Sequence, residues 1–377
     1  MNAKRDLKVK KGSILIYRVF DIGEEINLSK VQSTLSDYKG SRFQFSKDNT
    51  KKSIVMSDAP LGFEVGPVEI NLMEKQSLNL SAKVWNYGSL SLCFHLDIPK
   101  DMVWRDLIQL ASVIDTSSEL DEVAKAYAQR ISSALEPAIQ NKNLWHTFED
   151  YVIYQIESVE SVDPNDARTL LELADVAHLI LAEPNEELAE TSVNLILENA
   201  KQYSKTDLAI IDWNAAVIYG PEKQQKDVID VIEFSLTHLL EMRYYDDLID
   251  VKLGALYDSI QDKKGGKLLF SDFYSVLAED ASKAYIEFSE FLDRVDNSLK
   301  TVGDYYLATI FRTATSKFRF NDWKNSLRSK IDNLAQITEL LQVEVNSRKS
   351  HFLEVVVIVL ISGEIFAAAL PWLKSLF

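Results

Sequence analysis

The hydrophobic positions of this chain change period along its length, and the clearest period comes early. In Leu90–Ile98, Leu90, Leu92, Phe94, Leu96 and Ile98 face one way, while Ser91, Cys93, His95 and Asp97 face the other. That strict alternation predicts a half-buried strand. Gly88 precedes it as a turn or bulge, Pro99 ends it, and helical spacing follows from Trp104 to Ile114. Ser13–Phe20 (SILIYRVF) is rich in β-branched and aromatic residues and predicts a second strand. Leu28–Tyr38 has helical spacing. Ser53–Met56 and Phe63–Ile70 are short strand candidates, broken by Pro60 and Pro67. Residues 1–117 are thus expected to form an α+β domain with a mixed sheet.

From Ser118 the pattern turns helical. Leu120–Leu135, Leu144–Val159, Pro164–Leu181 and Glu186–Tyr203 each place apolar residues three and four apart. Asp163-Pro164 reads as an N-cap followed by proline at the first helical position. Residues 118–206 are therefore expected as a helical layer or insertion. Asp207–Tyr219 (DLAIIDWNAAVIY) ends at Gly220-Pro221. The segment 207–221 is expected to rejoin the N-terminal sheet as a strand, with a buried helix as the other reading.

Beyond it, helices are expected over 222–262, 270–300, 302–316 and 321–370, with Lys264-Gly265-Gly266 at the first turn. In the last, Leu327, Ile331, Leu334, Thr338, Leu341, Val345, Arg348 and Phe352 alternate four and three apart, as in a coiled-coil seam. The 222–262 helix has a broad apolar face through Ile232, Leu236, Leu239, Leu240 and Met242. Packing of the two as a long hairpin or bundle over 222–351 is one use of these faces. Pairing of the last helix between chains is the other.

The final apolar run, FLEVVVIVLISGEIFAAALPWL over 352–373, predicts a transmembrane anchor. As a helix it extends about 33 Å, against a hydrocarbon core of about 30 Å. Arg348 and Lys349 precede it, and Trp372 and Lys374 suit the far interface. Glu364 falls about 18 Å from the start. A charged carboxylate there costs about 2.5–3.5 kcal/mol on the insertion scale for Asp, so it is expected to protonate or to face other helices. Gly363 and Ala367 form a small-xxx-small pair beside it, which permits close helix approach. Gly363, Glu364 and Ala367 are therefore candidates for an interhelical contact in a homo-oligomer. Glu354 lies about 80° round the helix, so the two acids do not stack. The competing reading is the central helix of a soluble oligomer, buried all round.

Composition narrows this picture. The chain has 377 residues, enough for two or three compact units. It is 46% hydrophobic and 26% charged, which excludes wholesale disorder, and its 12 Gly and 8 Pro suggest few long loops. A net charge of −16 disfavours general nucleic-acid binding. Lys4, Arg5, Lys8, Lys10 and Lys11 cluster at the start, as a solvated tail or a contact for anionic lipid or RNA. With Cys93 as the one cysteine, an intrachain disulfide and a thiolate cluster are excluded. No apolar segment of the secretory type follows the basic start, and the Lys-rich, acid-containing first 50 residues do not resemble an organellar presequence. The bulk of the chain is expected in the cytoplasm, held at the inner (cytoplasmic) membrane by a single C-terminal span.

Chemistry-bearing patterns are sparse. There is no Gly-rich phosphate loop, and Tyr87-Gly88-Ser89-Leu90-Ser91 lacks the second glycine of a nucleophile elbow. Cys93, between Leu92 and Phe94, reads as a packing or edge residue, and His95 has no third partner for catalysis. His238 and Glu241 are three apart on one helix, near Glu233. They lack the repeated Glu-x-x-His of di-iron bundles, so no metal or cofactor is expected. Glu241-Met242-Arg243-Tyr244-Tyr245-Asp246-Asp247 is dense in polar and aromatic groups. Arg243 reaches Asp246 or Asp247 at helical spacing. Glu233, His238, Glu241, Arg243, Tyr244 and Asp246 read as a solvated face, as a network tying this helix to the preceding domain, or as an acid–base site at the junction with the sheet. No residue is assigned as catalytic.

A family resemblance enters at these residues. Ser204–Tyr219, Val231-Ile232-Glu233-Phe234 and Leu239-Leu240-Glu241-Met242-Arg243-Tyr244-Tyr245-Asp246 resemble the signature of the "required for meiotic nuclear division", or sporulation-related, family, also catalogued as a domain of unknown function. The similarity continues through Val295-Asp296-Asn297-Ser298-Leu299, Val302-Gly303-Asp304-Tyr305-Tyr306, Leu353-Glu354 and Ser362-Gly363-Glu364-Ile365, and Asn86-Tyr87-Gly88 fits the N-terminal part. His238 stands where the family leads one to expect Gln, and Val355-Val356 replaces a Trp-containing start to the tail. The resemblance implies a membrane-anchored, oligomeric interaction protein with a protein or ribosome-associated partner, since eukaryotic relatives support organellar translation from the inner membrane. The lack of a recognisable presequence points to a bacterial member. A membrane-tethered scaffold is the leading expectation, an enzyme the second, and a soluble nucleic-acid or translation-factor binder the third.

Overall fold

The computed structural model describes residues 6–34, 41–42, 59–262, 273–298 and 304–374. The expected strand Ser53–Met56, the Lys264-Gly265-Gly266 turn, and Lys4 and Arg5 of the basic cluster lie outside them. The chain is α+β, with an N-terminal mixed sheet, a helical C-terminal half and a long apolar C-terminal helix. In chain order the N-terminal elements are β1 (Lys8–Asp21), β2 (Glu25–Ile26), α1 (Leu28–Thr34), β3 (Ser41–Arg42), β4 (Leu61–Leu72), β5 (Glu74–Val84), β6 (Ser89–Asp97) and β7 (Met102–Val103). There follow α2 (Trp104–Asp115), α3 (Ser118–Ala134), β8 (Ile139–Gln140), β9 (Phe148–Val159), α4 (Thr169–Leu173), α5 (Val176–Leu181), α6 (Glu190–Leu197), β10 (Leu208–Ile211) and β11 (Ala215–Tyr219). The helical half comprises α7 (Glu222–Asp262), α8 (Phe273–Ser298), α9 (Tyr305–Lys317) and α10 (Phe320–Lys374).

One sheet runs in the order β10-β11-β9-β1-β6-β5-β4-β3, with β7 pairing to the end of β1. The β11–β9 pair is parallel and the other pairs are antiparallel. Two faces follow from the register. Ile14, Ile16, Phe20, Leu90, Leu92, Phe94 and Leu96 join the main hydrophobic core with Leu107, Ile108 and Leu110 of α2 and Leu120 and Ala124 of α3. Tyr17, Ser91 and Cys93 point to the opposite face, where α7 lies. On the core side Arg18 is only 3% exposed, and its Nε donates to Asp121 of α3 at 2.7 Å. The turn between β5 and β6 requires glycine at 88. Its φ is +103°, and a Cβ there would stand 1.8 Å from the Gly23 carbonyl oxygen.

The largest departure from expectation is β9. Leu144–Val159 was expected to be helical, yet 148–159 is a central strand paired to β1 from Phe20↔Phe148 to Val9↔Val159. Its neighbours and the layers above and below bury both faces, so Tyr151, Val152, Ile153 and Tyr154 form an unbroken apolar run with no visible alternation. The helical layer expected over 118–206 therefore contains a strand at the heart of the sheet. β5 is also unanticipated, although Leu78, Leu80, Ala82 and Val84 alternate into the core. The expected helices Pro164–Leu181 and Glu186–Tyr203 are shorter than their spacing suggests. Asp163 accepts from the Asn165 amide at 2.8 Å in a turn, and helix begins only at Thr169. Asp207 accepts from the amides of Tyr203 and Ser204, closing a loop where helix was expected. Residues 207–221 supply the two strands β10 and β11.

Contacts divide the chain into two units, 1–244 with 295–323 and 245–294 with 324–377. In the second, the later part of α7 packs with α8 and α10. Tyr245 stacks on Phe291 with ring centres 3.7 Å apart, and Lys330 bridges Asp246 and Asp250 at 2.8 and 2.6 Å. Leu327, Ile331, Leu334 and Leu341 of the expected seam are buried within this one chain. Arg348 lies over the Tyr274 ring at 4.3 Å. The lower end of the seam at Phe352 is exposed.

Candidate functional site

Residues 228–242 of α7 are buried without a break, although they include Asp230, Glu233, Ser235, Thr237, His238 and Glu241. A helix this enclosed is normally apolar all round. The polar residues are matched by the polar face of the sheet. Thr237 lies four residues after Glu233, and Glu241 four after Thr237, which places all three along one stripe.

Lys83 of β5 sits at the first cluster. Its Nζ is 3.3 Å from Asp230 Oδ1, bonds Glu233, and lies 5.8 Å from the centre of the Trp85 ring. Burial alone would lower the ammonium pKa, but Glu233 and Asp230 more than reverse this, and Lys83 stays charged. Burial pushes Asp230 up to about 7 against the pull of Lys83. One ammonium is thus shared between two carboxyl groups. A cavity of about 280 Å³ opens beside them, with Tyr17, Ser91, Cys93 and His95 on its sheet side. Burial pushes the Cys93 thiol up to about 12, so at neutral pH it is a thiol and a poor nucleophile.

The second cluster lies two turns along. Ser89 Oγ donates to Glu241 Oε1 at 2.8 Å. Burial, with Glu241 beside it, holds Asp21 well above the usual carboxylate range. The Tyr87 hydroxyl is 2.8 Å from Thr237 Oγ1. His238 donates from Nδ1 to the Phe234 carbonyl at 2.9 Å and meets the Tyr87 ring edge-on. Burial pushes its imidazole down to about 4, leaving it neutral. Glu241 and His238 point to different partners, and among the described residues no three His, Cys, Asp or Glu side chains converge to hold a metal ion.

Arg243 does not turn to Asp246 as its spacing suggests. Its Nη1 donates to Glu149 of β9 at 2.5 Å, and its guanidinium lies 5.8 Å from the Trp323 ring centre. Burial pushes Glu149 up to about 7, with Arg243 opposing it. Tyr244 packs edge-on against Trp145. Asp246 is engaged within the second unit, by Ser326 at 2.8 Å and by Lys330. Of the six α7 candidates, Glu233, His238, Glu241, Arg243 and Tyr244 are committed to contacts in the first unit. Gly363, Glu364 and Ala367 lie exposed on α10.

Lys83, Asp230, Asp21, Ser89 and Glu149 are partners that sequence reasoning missed. Asp230 and Glu233 carried a signal, as two acids three apart inside the apolar run VIDVIEFSL. Lys83 and Glu149 carried none, because each gains its role from a strand far from α7 in sequence.

Residues 11–225 match the family model described as "Uncharacterized protein MJ0711, N-terminal domain". The chain is similar to the uncharacterised protein MJ0711 of Methanocaldococcus jannaschii, with 23% identity over 299 residues, 79% of this chain and 84% of that protein. No solved structure matches. The family match takes in Lys83, Ser91 and Cys93 and stops before Asp230 and Glu233.

Proposed function

This chain belongs to the family defined by the N-terminal domain of the uncharacterised protein MJ0711, and from that premise we propose that it is a membrane-tethered, oligomeric scaffold. The observation that carries the reading is the tail. Phe352, Leu353, Val355, Val357, Ile358, Val359, Leu360, Ile361, Ile365 and Phe366 are all exposed on one helix long and apolar enough to cross a membrane. A continuous apolar surface of this kind is unfavourable in water and suits a bilayer. Arg348 and Lys349 supply the basic flank expected on the cytoplasmic side, which supports a reading with the two folded units in the cytoplasm and the span in the inner membrane.

Glu364 then meets its partner in a second copy, with Gly363 and Ala367 allowing the helices to approach. The α7 contacts support the scaffold reading, since Glu241 and Arg243 bond the strands β6 and β9 and His238 packs on the Tyr87 ring. The resemblance to the meiotic nuclear division family adds support for translation or membrane-associated assembly as the setting, with a protein or ribosome-associated partner.

The test compares the full chain with one truncated after Lys349. The full chain should stay with membranes through an alkaline wash and run as an oligomer in detergent, and the truncated chain should be released. Release of the full chain by the wash, or its solubility without detergent, would refute the anchor. Glu364→Leu should weaken the oligomer while leaving the chain in the membrane. Unchanged mass would remove the role given to Glu364.

A further inference from the structure

The cavity beside Lys83 holds two polar atoms with no partner inside it. Asp230 is 4% exposed and Ser91 is 1% exposed, yet Asp230 Oδ2 and Ser91 Oγ make no hydrogen bond, and both residues line the cavity. A buried polar atom left unpaired costs about 1–3 kcal/mol. The other oxygen of Asp230 already accepts from Lys83, and Lys83 also bonds Glu233. The free oxygen thus belongs to a residue lining the cavity, and the Lys83 ammonium beside it is already shared between the other Asp230 oxygen and Glu233.

The walls determine what fits. Asp230, Glu233 and exposed Glu64 present three carboxyl groups against the Lys83 ammonium, which disfavours an anion. Among the described residues no three metal-ligating side chains converge to hold a metal ion. A hydrogen-bond donor that carries positive charge satisfies Asp230 Oδ2, and a second polar group on the same molecule reaches Ser91 Oγ. Phe63 and Leu15 give apolar wall for a short carbon stem. At about 280 Å³ the space suits a molecule of a few heavy atoms. We infer that this cavity is a binding site for a small organic ammonium compound, with Asp230 Oδ2 as acceptor for the ammonium and Ser91 Oγ as its second contact. The inference is independent of the membrane tether, because every residue in it belongs to the first unit.

The experiment is calorimetric titration of the full chain in detergent with ethanolammonium chloride, beside tetramethylammonium chloride and sodium acetate at equal ionic strength. Ethanolammonium should bind saturably, and neither control should. Asp230→Asn should weaken binding about tenfold or more, the loss expected for a hydrogen bond to a charged group. Ser91→Val removes the hydroxyl and fills space without altering a charge. It should abolish binding, and it keeps the test open if Asp230→Asn fails to fold. No saturable heat with ethanolammonium would mean that the cavity holds water only, and would overturn the proposal. Equal affinity in Ser91→Val would place the ligand elsewhere. Binding by tetramethylammonium as tight as by ethanolammonium would show that no donor is read, and saturable acetate binding lost in Lys83→Met would make this an anion site. Each of these three results would also overturn it.

Discussion

Residues 228–242 of α7 are buried throughout although six of them are polar or charged, whereas residues 352–367 of α10 are exposed, apart from half-buried Val356, although most are apolar. In α7 the cost of enclosing polar groups is offset inside the fold. Ser89 and Lys83 of the sheet and Tyr87 of the β5–β6 turn meet Glu241, the Asp230–Glu233 pair and Thr237. In α10 the apolar side chains face outward, on a helix long and apolar enough to cross a membrane. The contrast teaches that an inverted pattern has two resolutions. A buried polar helix calls for partners from the same chain, and an exposed apolar helix calls for partners outside it.

The largest effect should come from removing the apolar segment. Truncation after Lys349 should change membrane retention from nearly complete to nearly none in an alkaline-wash fractionation. If the truncated chain stays on membranes, the contrast loses its outer half. The inner half is tested by Lys83→Met, which leaves Asp230 and Glu233 enclosed without their cation. Chemical denaturation should show a loss of about 3–5 kcal/mol, as for breaking a buried ion pair from one side. A loss below about 1 kcal/mol, the range of an exposed pair, would mean that water already enters the cluster.

The pH response should separate two enclosed groups, His238 of α7 and Glu149 of β9. Glu149 has a folded pKa raised from 4.5 to about 7, so its contribution to stability is full below 4.5 and declines as pH rises through 7. His238 has a folded pKa lowered from 6.5 to about 4, so its contribution is full above 6.5 and declines as pH falls through 4. Each amounts to about 3 kcal/mol across that window. Subtracting the stability of Glu149→Gln from that of the wild type should give a curve that falls from pH 4.5 to 7. The same subtraction for His238→Gln should give one that rises from pH 4 to 6.5. Two flat curves would show that neither group is dry. The smallest change should come from Tyr87→Phe, which removes the hydroxyl facing Thr237 and should cost about 1 kcal/mol in the same denaturation assay.

Much of the helical half was legible in sequence. Helical spacing placed α7 at its observed bounds and α8, α9 and α10 within a few residues. Strict alternation found β6, and the sheet edge before α7 was visible in the stretch ending at Gly220-Pro221. The site was half legible. Glu233, His238, Glu241 and Arg243 could be singled out on α7, while the groups they meet could not.

Hydrophobic period, turn residues and an unbroken apolar run are local properties, and they suffice for elements exposed on one side. The long helices, β6 and the C-terminal apolar segment were therefore determined by sequence alone. Tertiary structure decided the rest. It made 148–159 a central strand, because burial on both faces erases the alternation that marks a strand. It laid α7 over the polar face of β6, the face that a half-buried strand would otherwise turn away from the core. It turned Arg243 from Asp246, three residues away, to Glu149, 94 residues away, because Arg243 packs in the unit that holds β9 while Asp246 belongs to the other. Spacing along one helix shows which side chains share a face, and only the fold determines what that face meets.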